Sequence, residues 1–213
     1  MRPLLLLLAG AACALSQPFS AGFRGGIPFT DFLSAAESGN VTYSTVTNRY
    51  ILGVTAELRL PFGLGVELDA MYRHLNYASN SGTTGVTTVI TSSNTTSNAW
   101  EFPLLAKYRF PSKIVRPFVD AGVAWDTLQG LTQTVRKVVA GIATTTTSSS
   151  PAELNQTTTK GFVMGAGIDV HALVVHISPE IRYTRWGAKH FLDTSGLLSS
   201  NQNQAEFLVG ITF

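Results

Sequence analysis

Eight stretches of this chain alternate between apolar and polar or small residues with a two-residue period, the pattern of a strand with two unlike faces. They fall at about residues 21–29, 50–60, 64–74, 100–110, 117–126, 161–171, 175–186 and 204–213. Most are close to the roughly 9–11 residues that a tilted strand needs to cross a bilayer. The links between them alternate in length. Residues 30–49, 75–99, 127–160 and 187–203 are long; 61–63, 111–116 and 172–174 are short. In an up-and-down meander every second link lies on one side. All long links therefore project from one rim, and the short turns and both termini lie at the other. That asymmetry is the one expected of an outer-membrane barrel, with short periplasmic turns and long external loops.

The fourth stretch shows the two faces most clearly. Trp100, Phe102, Leu104, Ala106, Tyr108 and Phe110 share one face; Glu101, Pro103, Leu105, Lys107 and Arg109 share the other. At roughly 3.3 Å per residue and a tilt of roughly 40°, the apolar face rises about 25 Å, the height of a lipid-facing band. The third stretch sets Leu64, Val66, Leu68, Ala70 and Tyr72 against Glu67, Asp69 and Arg73. The last sets Ala205, Phe207, Val209, Ile211 and Phe213 against Glu206, Leu208, Gly210 and Thr212.

The same parity gathers the strand charges inside. The expected lumen network is Arg24, Glu57, Arg59, Glu67, Asp69, Arg73, Glu101, Lys107, Arg109, Asp120, Asp126, Asp169, Glu180, Arg182 and Glu206, nine acids against six bases. On the outward faces Arg185 is the exception, at an external strand end where it can reach headgroups. Eight strands leave a bore that side chains fill. Inward glycines such as Gly22, Gly65, Gly165 and Gly210 make room for the long charged chains. Buried charges need partners, so the interior reads as a closed polar plug. Four prolines, Pro28, Pro103, Pro117 and Pro179, fall within the strands and remove ladder donors. Pro103 is mid-strand, where a bulge or a locally missing hydrogen bond is expected.

Composition agrees with a membrane protein. The chain is 45% hydrophobic but only 13% charged, and its net charge of +2 is too small for a nucleic-acid footprint. Arg2, the apolar run from Leu4 to Ala12, and Ala14-Leu15-Ser16 make an export signal, with cleavage placed before Gln17. The expected organisation is thus a signal peptide over 1–16 and one barrel domain over 17–213. Cys13 is the only cysteine and falls within the signal, in a poor lipobox context, so no disulfide or thiolate chemistry is expected. Beyond the signal no apolar run is long enough for a spanning helix, which leaves a closed barrel as the way to cross.

The long links are rich in Ser, Thr, Asn and Gly, especially 79–98 and 144–150, and read as solvated, mobile loops without a core. Candidate chemistry is sparse. His171 and His176 flank a short turn with Asp169 nearby, and interior filler is preferred to a metal site. His190, Asp193 and Ser195 cluster in the last loop and offer an acyl-transfer alternative. Barrel deacylases of lipid A carry an adjacent His-Ser pair late in the chain; the corresponding region here reads Glu180-Ile181-Arg182-Tyr183-Thr184-Arg185-Trp186.

Four motifs carry a family resemblance: Gly22-Phe23-Arg24-Gly25-Gly26-Ile27-Pro28, Glu101-Phe102-Pro103-Leu104-Leu105-Ala106-Lys107-Tyr108, Arg116-Pro117-Phe118-Val119-Asp120-Ala121-Gly122, and Phe207-Leu208-Val209-Gly210-Ile211-Thr212-Phe213. The chain resembles the outer-membrane barrel family that includes the transmembrane domain of outer membrane protein A. The resemblance implies an eight-stranded antiparallel up-and-down barrel in the outer membrane of a Gram-negative-type bacterium. It also implies that the aromatic terminus, Phe213, addresses the chain to the barrel-assembly machinery. The partners expected are outer-membrane lipid and lipopolysaccharide, with no cofactor, no nucleic acid and a monomeric state. The function expected is a non-enzymatic envelope or surface role. The alternatives are a lipid-modifying barrel enzyme, a narrow channel, or a secreted soluble barrel, which would need an apolar interior.

Overall fold

The computed structural model describes residues 19–213, apart from 46–48, 84, 86, 113–114 and 173–174. The expected signal segment 1–16 and Cys13 lie outside the described residues. Eight strands form the barrel: β1 (Phe19–Pro28), β2 (Ile51–Arg59), β3 (Leu64–Thr83), β4 (Val89–Arg109), β5 (Val115–Val139), β6 (Thr158–Ala172), β7 (Val175–Trp186) and β8 (Asn203–Thr212). Each pairs antiparallel with its neighbour in sequence. β8 returns to β1, with Gly22 opposite Thr212 and Pro28 opposite Glu206, so the sheet closes and has no edge at membrane height.

Strand parity sorts the side chains as the alternation predicts. Phe23, Leu52, Val54, Leu68, Leu104, Val123, Phe162 and Ile181 are exposed on the outer wall. Lys160 joins Arg185 as an outward charge, because β6 begins earlier than its sequence pattern suggests; both are exposed, near the external ends of their strands.

The prolines are absorbed without slippage. Around Pro103 the β3–β4 register holds at Leu68–Leu104 and again at Met71–Glu101, with the two pairs between them missing. The expected defect is therefore a gap in the ladder and not a bulge. Pro179 coincides with a similar gap between Gly167–Glu180 and Val170–Ile177. The one register shift between β4 and β5 lies higher, between Thr96 and Asn98, opposite Gly130 in the left-handed conformation (φ 63°). A side chain at that φ would be strained, so glycine permits the bulge.

The expectation of mobile loops over 79–98 and 144–150 is corrected. β3, β4 and β5 contain 20, 21 and 25 residues, about twice what the bilayer needs. Their external halves continue as one sheet. Its edges are covered by two short strands: Val41–Thr45 pairs with β3, and Ile142–Ser148 pairs with β5. The Thr-rich run thus belongs to a strand. Thr is β-branched and suits a pleated surface, and hydroxyls on both faces hide the alternation that marks the lower strands. A small second sheet, Leu33–Ala35 with Leu198–Ser200, ties the first loop to the last.

Candidate functional site: the lumen and its external cap

The parity of β1 to β8 brings the fifteen charged residues named from the sequence to the interior. Fourteen are buried and Arg59 is half-buried. They form three layers. In the middle, Arg24 Nη1 reaches Glu67 at 2.7 Å, Asp69 at 3.0 Å and Glu180 at 3.1 Å. Arg182, fully buried, donates from Nε to Glu180 at 2.7 Å, from Nη1 to Asp69 at 2.8 Å and from Nη2 to Glu67 at 3.3 Å. Lys107 donates to Glu67 and lies over the Phe118 ring at 4.3 Å, with Asp120 at 3.9 Å. Gly165 makes this density possible: a Cβ there would stand 2.5 Å from Asp120 Oδ1 and 2.8 Å from Glu180 Oε1.

The layer toward the short-turn rim holds Arg109, which donates to Glu57 and, at 3.0 Å, to Asp169. His176 Nδ1 stands 3.0 Å from the other Asp169 oxygen. Arg59 Nη1 approaches His176 Nε2 at 3.3 Å, and His171 Nδ1 approaches the same nitrogen at 3.1 Å. Since the guanidinium can only donate, His176 Nε2 accepts and its Nδ1–H donates to Asp169. The two histidines extend the polar network. Among the described residues no group of three His, Cys, Asp or Glu side chains is disposed to hold a metal ion.

The upper layer is acid-rich. Arg73 reaches Glu101 at 3.2 Å and Glu206 at 3.8 Å. His190 lies here, buried, with Nε2 3.2 Å from Asp126 and Nδ1 2.8 Å from the Gln156 carbonyl. This separates it from its sequence neighbours. Ser195 bonds Asp193 in an exposed local turn. Both nitrogens of His190 are engaged elsewhere, so the residues suggested for acyl transfer do not assemble into a nucleophile and base.

Above this layer the interior changes character. Phe32, Leu33, Leu75, Tyr77, Ala99, Leu128, Phe191 and Leu198 form a buried apolar cluster, with Tyr43, Leu131 and Leu154 against it. The long strands supply one side; the first and last loops supply the other. Arg73 lies 5.3 Å from the Phe32 ring and His190 stacks on the same ring at 5.8 Å, so the cluster rests directly on the charged layer. Tyr43 Oη donates to Glu153 at 3.3 Å; burial and that carboxylate push its phenol well above the usual range. The sequence reading missed this cap. Its signal was the inward parity of Leu75 and Tyr77, continuing from Arg73, together with apolar residues in otherwise polar loops.

Phe213 follows the last strand, is exposed on the outer wall, and its N–H donates to the Ala21 carbonyl at 3.0 Å.

A closed antiparallel meander with an apolar wall, a charged lumen and one long-looped rim defines a membrane-spanning β-barrel. The chain belongs to the outer membrane protein β-barrel domain family, whose model matches residues 15–187. Its fold is similar to that of the outer membrane protein OprG from Pseudomonas aeruginosa, with 15% identity, a TM-score of 0.53, and 91% of this chain and 92% of that one covered. Neisserial surface protein A also aligns, at 13% identity and a TM-score of 0.45, over 92% of this chain and 96% of that one. No curated protein matches the chain in sequence. Membership of this family implies the outer membrane as its location.

Proposed function

We propose that this protein is a non-enzymatic outer-membrane barrel with a closed lumen that holds a folded surface structure outside the cell. One observation carries the reading: two barriers lie in series along the bore, a salt-bridged layer centred on Arg182 and an apolar cap centred on Phe191. An ion would have to break paired charges and then cross an apolar cluster. The external sheet ends in exposed apolar residues, Ile90, Val139 and Ile142, far from the lipid-facing wall. Exposed apolar groups at such a tip suit contact with another surface, which supports an adhesive or interaction role. Export through the 1–16 signal, assembly through Phe213, contact with lipopolysaccharide and a monomeric state belong to the same proposal.

Planar-bilayer recording tests it. The folded protein is expected to give no unit conductance; steady single-channel steps would favour the narrow-channel reading. Lipid A from cells with and without the gene is expected to be identical. A gene-dependent change abolished by Ser195→Ala would restore the enzyme reading.

A further inference from the structure

At the rim of short turns, between the β2–β3 turn and Pro111 and Ser112 beyond β4, the wall is indented by a recess of about 670 Å³. Three arginines line it, Arg59, Arg109 and Arg116, together with Phe62, Tyr108 and Phe110. Arg109 is already committed to Glu57 and Asp169. Arg59 is not: its Nη1 meets His176, its Nε is 4.0 Å from Glu57, and Nε and Nη2 are buried without a hydrogen-bond partner. Arg116 is exposed; its Nε donates to the Ser112 carbonyl at 3.1 Å, and no carboxylate of the described residues forms a salt bridge with it. Buried donors left without acceptors are costly. A guanidinium fork matches the oxygens of a phosphate.

Two further features say what kind of phosphate. Phe62 stands at the tip of the β2–β3 turn in the left-handed conformation (φ 65°) and is 92% exposed. An aromatic ring held out in this way suits the headgroup zone of a bilayer. The outward row of β3 also leads away from the recess into the bilayer. Leu64 lines the recess, Val66 follows, and Leu68 and Ala70 line a second, apolar concavity of about 630 Å³. Small residues, Ala21, Ala56 and Ala70, line that groove together with Phe23, Phe102 and Phe213. A hollow on the lipid face is filled by hydrocarbon, because a void there forfeits dispersion contacts.

We propose that recess and groove form one binding site for an anionic phospholipid of the periplasmic leaflet. The phosphate sits on Arg59 and Arg116. An acyl chain runs along Leu64, Val66 and Leu68 into the alanine-lined groove. The site opens at the short-turn rim, where Arg59 reaches it from the lumen side and Arg116 from the surface; it lies outside both barriers of the bore, so its test and the conductance test fail separately.

The test uses the folded protein in neutral detergent, stripped of lipid and read by native mass spectrometry. One phosphatidylglycerol is expected to be retained in preference to phosphatidylcholine. Arg116→Gln and Arg59→Gln are each expected to weaken that binding about tenfold, the loss of one charge-assisted hydrogen-bonding group. Arg116 is exposed, so its variant is expected to keep the heat-dependent gel shift of a folded barrel even if the Arg59 variant does not. Ala56→Phe fills the groove and is expected to reduce phosphatidylglycerol binding with both arginines intact. Equal retention of the two lipids, or retention unchanged in Arg116→Gln, overturns the proposal. Inorganic phosphate that displaces the lipid at equal concentration, with Ala56→Phe silent, would make this a soluble-phosphate site and also overturn it.

Discussion

The membrane-height barrel and the external sheet are built from the same strands with opposite polarity. Along β3 the inward residues of the lower half are mostly charged, Glu67, Asp69 and Arg73 with Met71 among them, and those above are Leu75 and Tyr77. Outward they run Leu64, Val66 and Leu68, then Asn76 and Ala78, where β3 leaves the wall. The solvent outside decides which arrangement holds. Against hydrocarbon, apolar groups gain nothing by turning inward, and the ions must meet each other. Against water, apolar groups gain by clustering inside. One strand of 20 residues records both rules, and the change falls between Arg73 and Leu75.

The largest effect should come from the lower region. Arg182→Ala removes one of the two guanidiniums shared by Glu67, Asp69 and Glu180 and leaves three buried carboxylates to Arg24 and Lys107, at a cost of about 4 kcal/mol. Urea unfolding in lipid vesicles, followed by the gel-mobility shift, would measure it; a loss under 1 kcal/mol would mean the network is solvated. Next is the cap. Leu198→Ala should cost about 3 kcal/mol, through lost burial and a residual cavity. Hydrogen exchange should then rise in 30–35 and 190–200 while β1, β7 and β8 stay protected at membrane height; uniform loosening would deny the cap its independence. On the lipid face, Leu104→Arg should cost about 2 kcal/mol, read by the same unfolding titration. The smallest effect belongs to the external strand: Thr145→Lys, exposed and bathed in water, should stay within about 0.5 kcal/mol. If Leu104→Arg proved as harmless as Thr145→Lys, the assignment of the two zones would fail.

Much of the lower region was legible because its faces differ sharply. Trp100, Phe102 and Leu104 against Glu101, Lys107 and Arg109 leave no doubt about period or parity. Which acid meets which base was not legible: Arg24 and Arg182 both converge on Asp69 from strands far apart in sequence, and only closure of the barrel places them there. The external sheet escaped detection because Ser79, Asn80, Ser81 and Thr91 to Thr96 offer no contrast between faces. Its register comes from continuation of β3–β5 and from pairing at the edges, as where Thr144 to Thr147 lie opposite Lys137 to Thr134. The cap depends on loops meeting across the mouth, Leu33 and Leu198 from opposite ends of the chain, and no local pattern encodes that meeting.

The hydroxyl-rich hairpin has a consequence for how the molecule is made. Residues 75–99, the external halves of β3 and β4 with their connection, contain no Asp, Glu, Lys or Arg. If the tip stands outside the cell, as proposed above, any passage of this segment through the hydrocarbon before the barrel closes carries no ion with it. Each ionised side chain taken across would add several kcal/mol to that barrier. Neutral hydroxyl and amide groups, which can bond to the paired backbone and to one another as Ser79 and Ser93 do at 2.8 Å, keep the barrier low. The monotony that conceals the hairpin in the sequence thus lowers the threshold for its delivery.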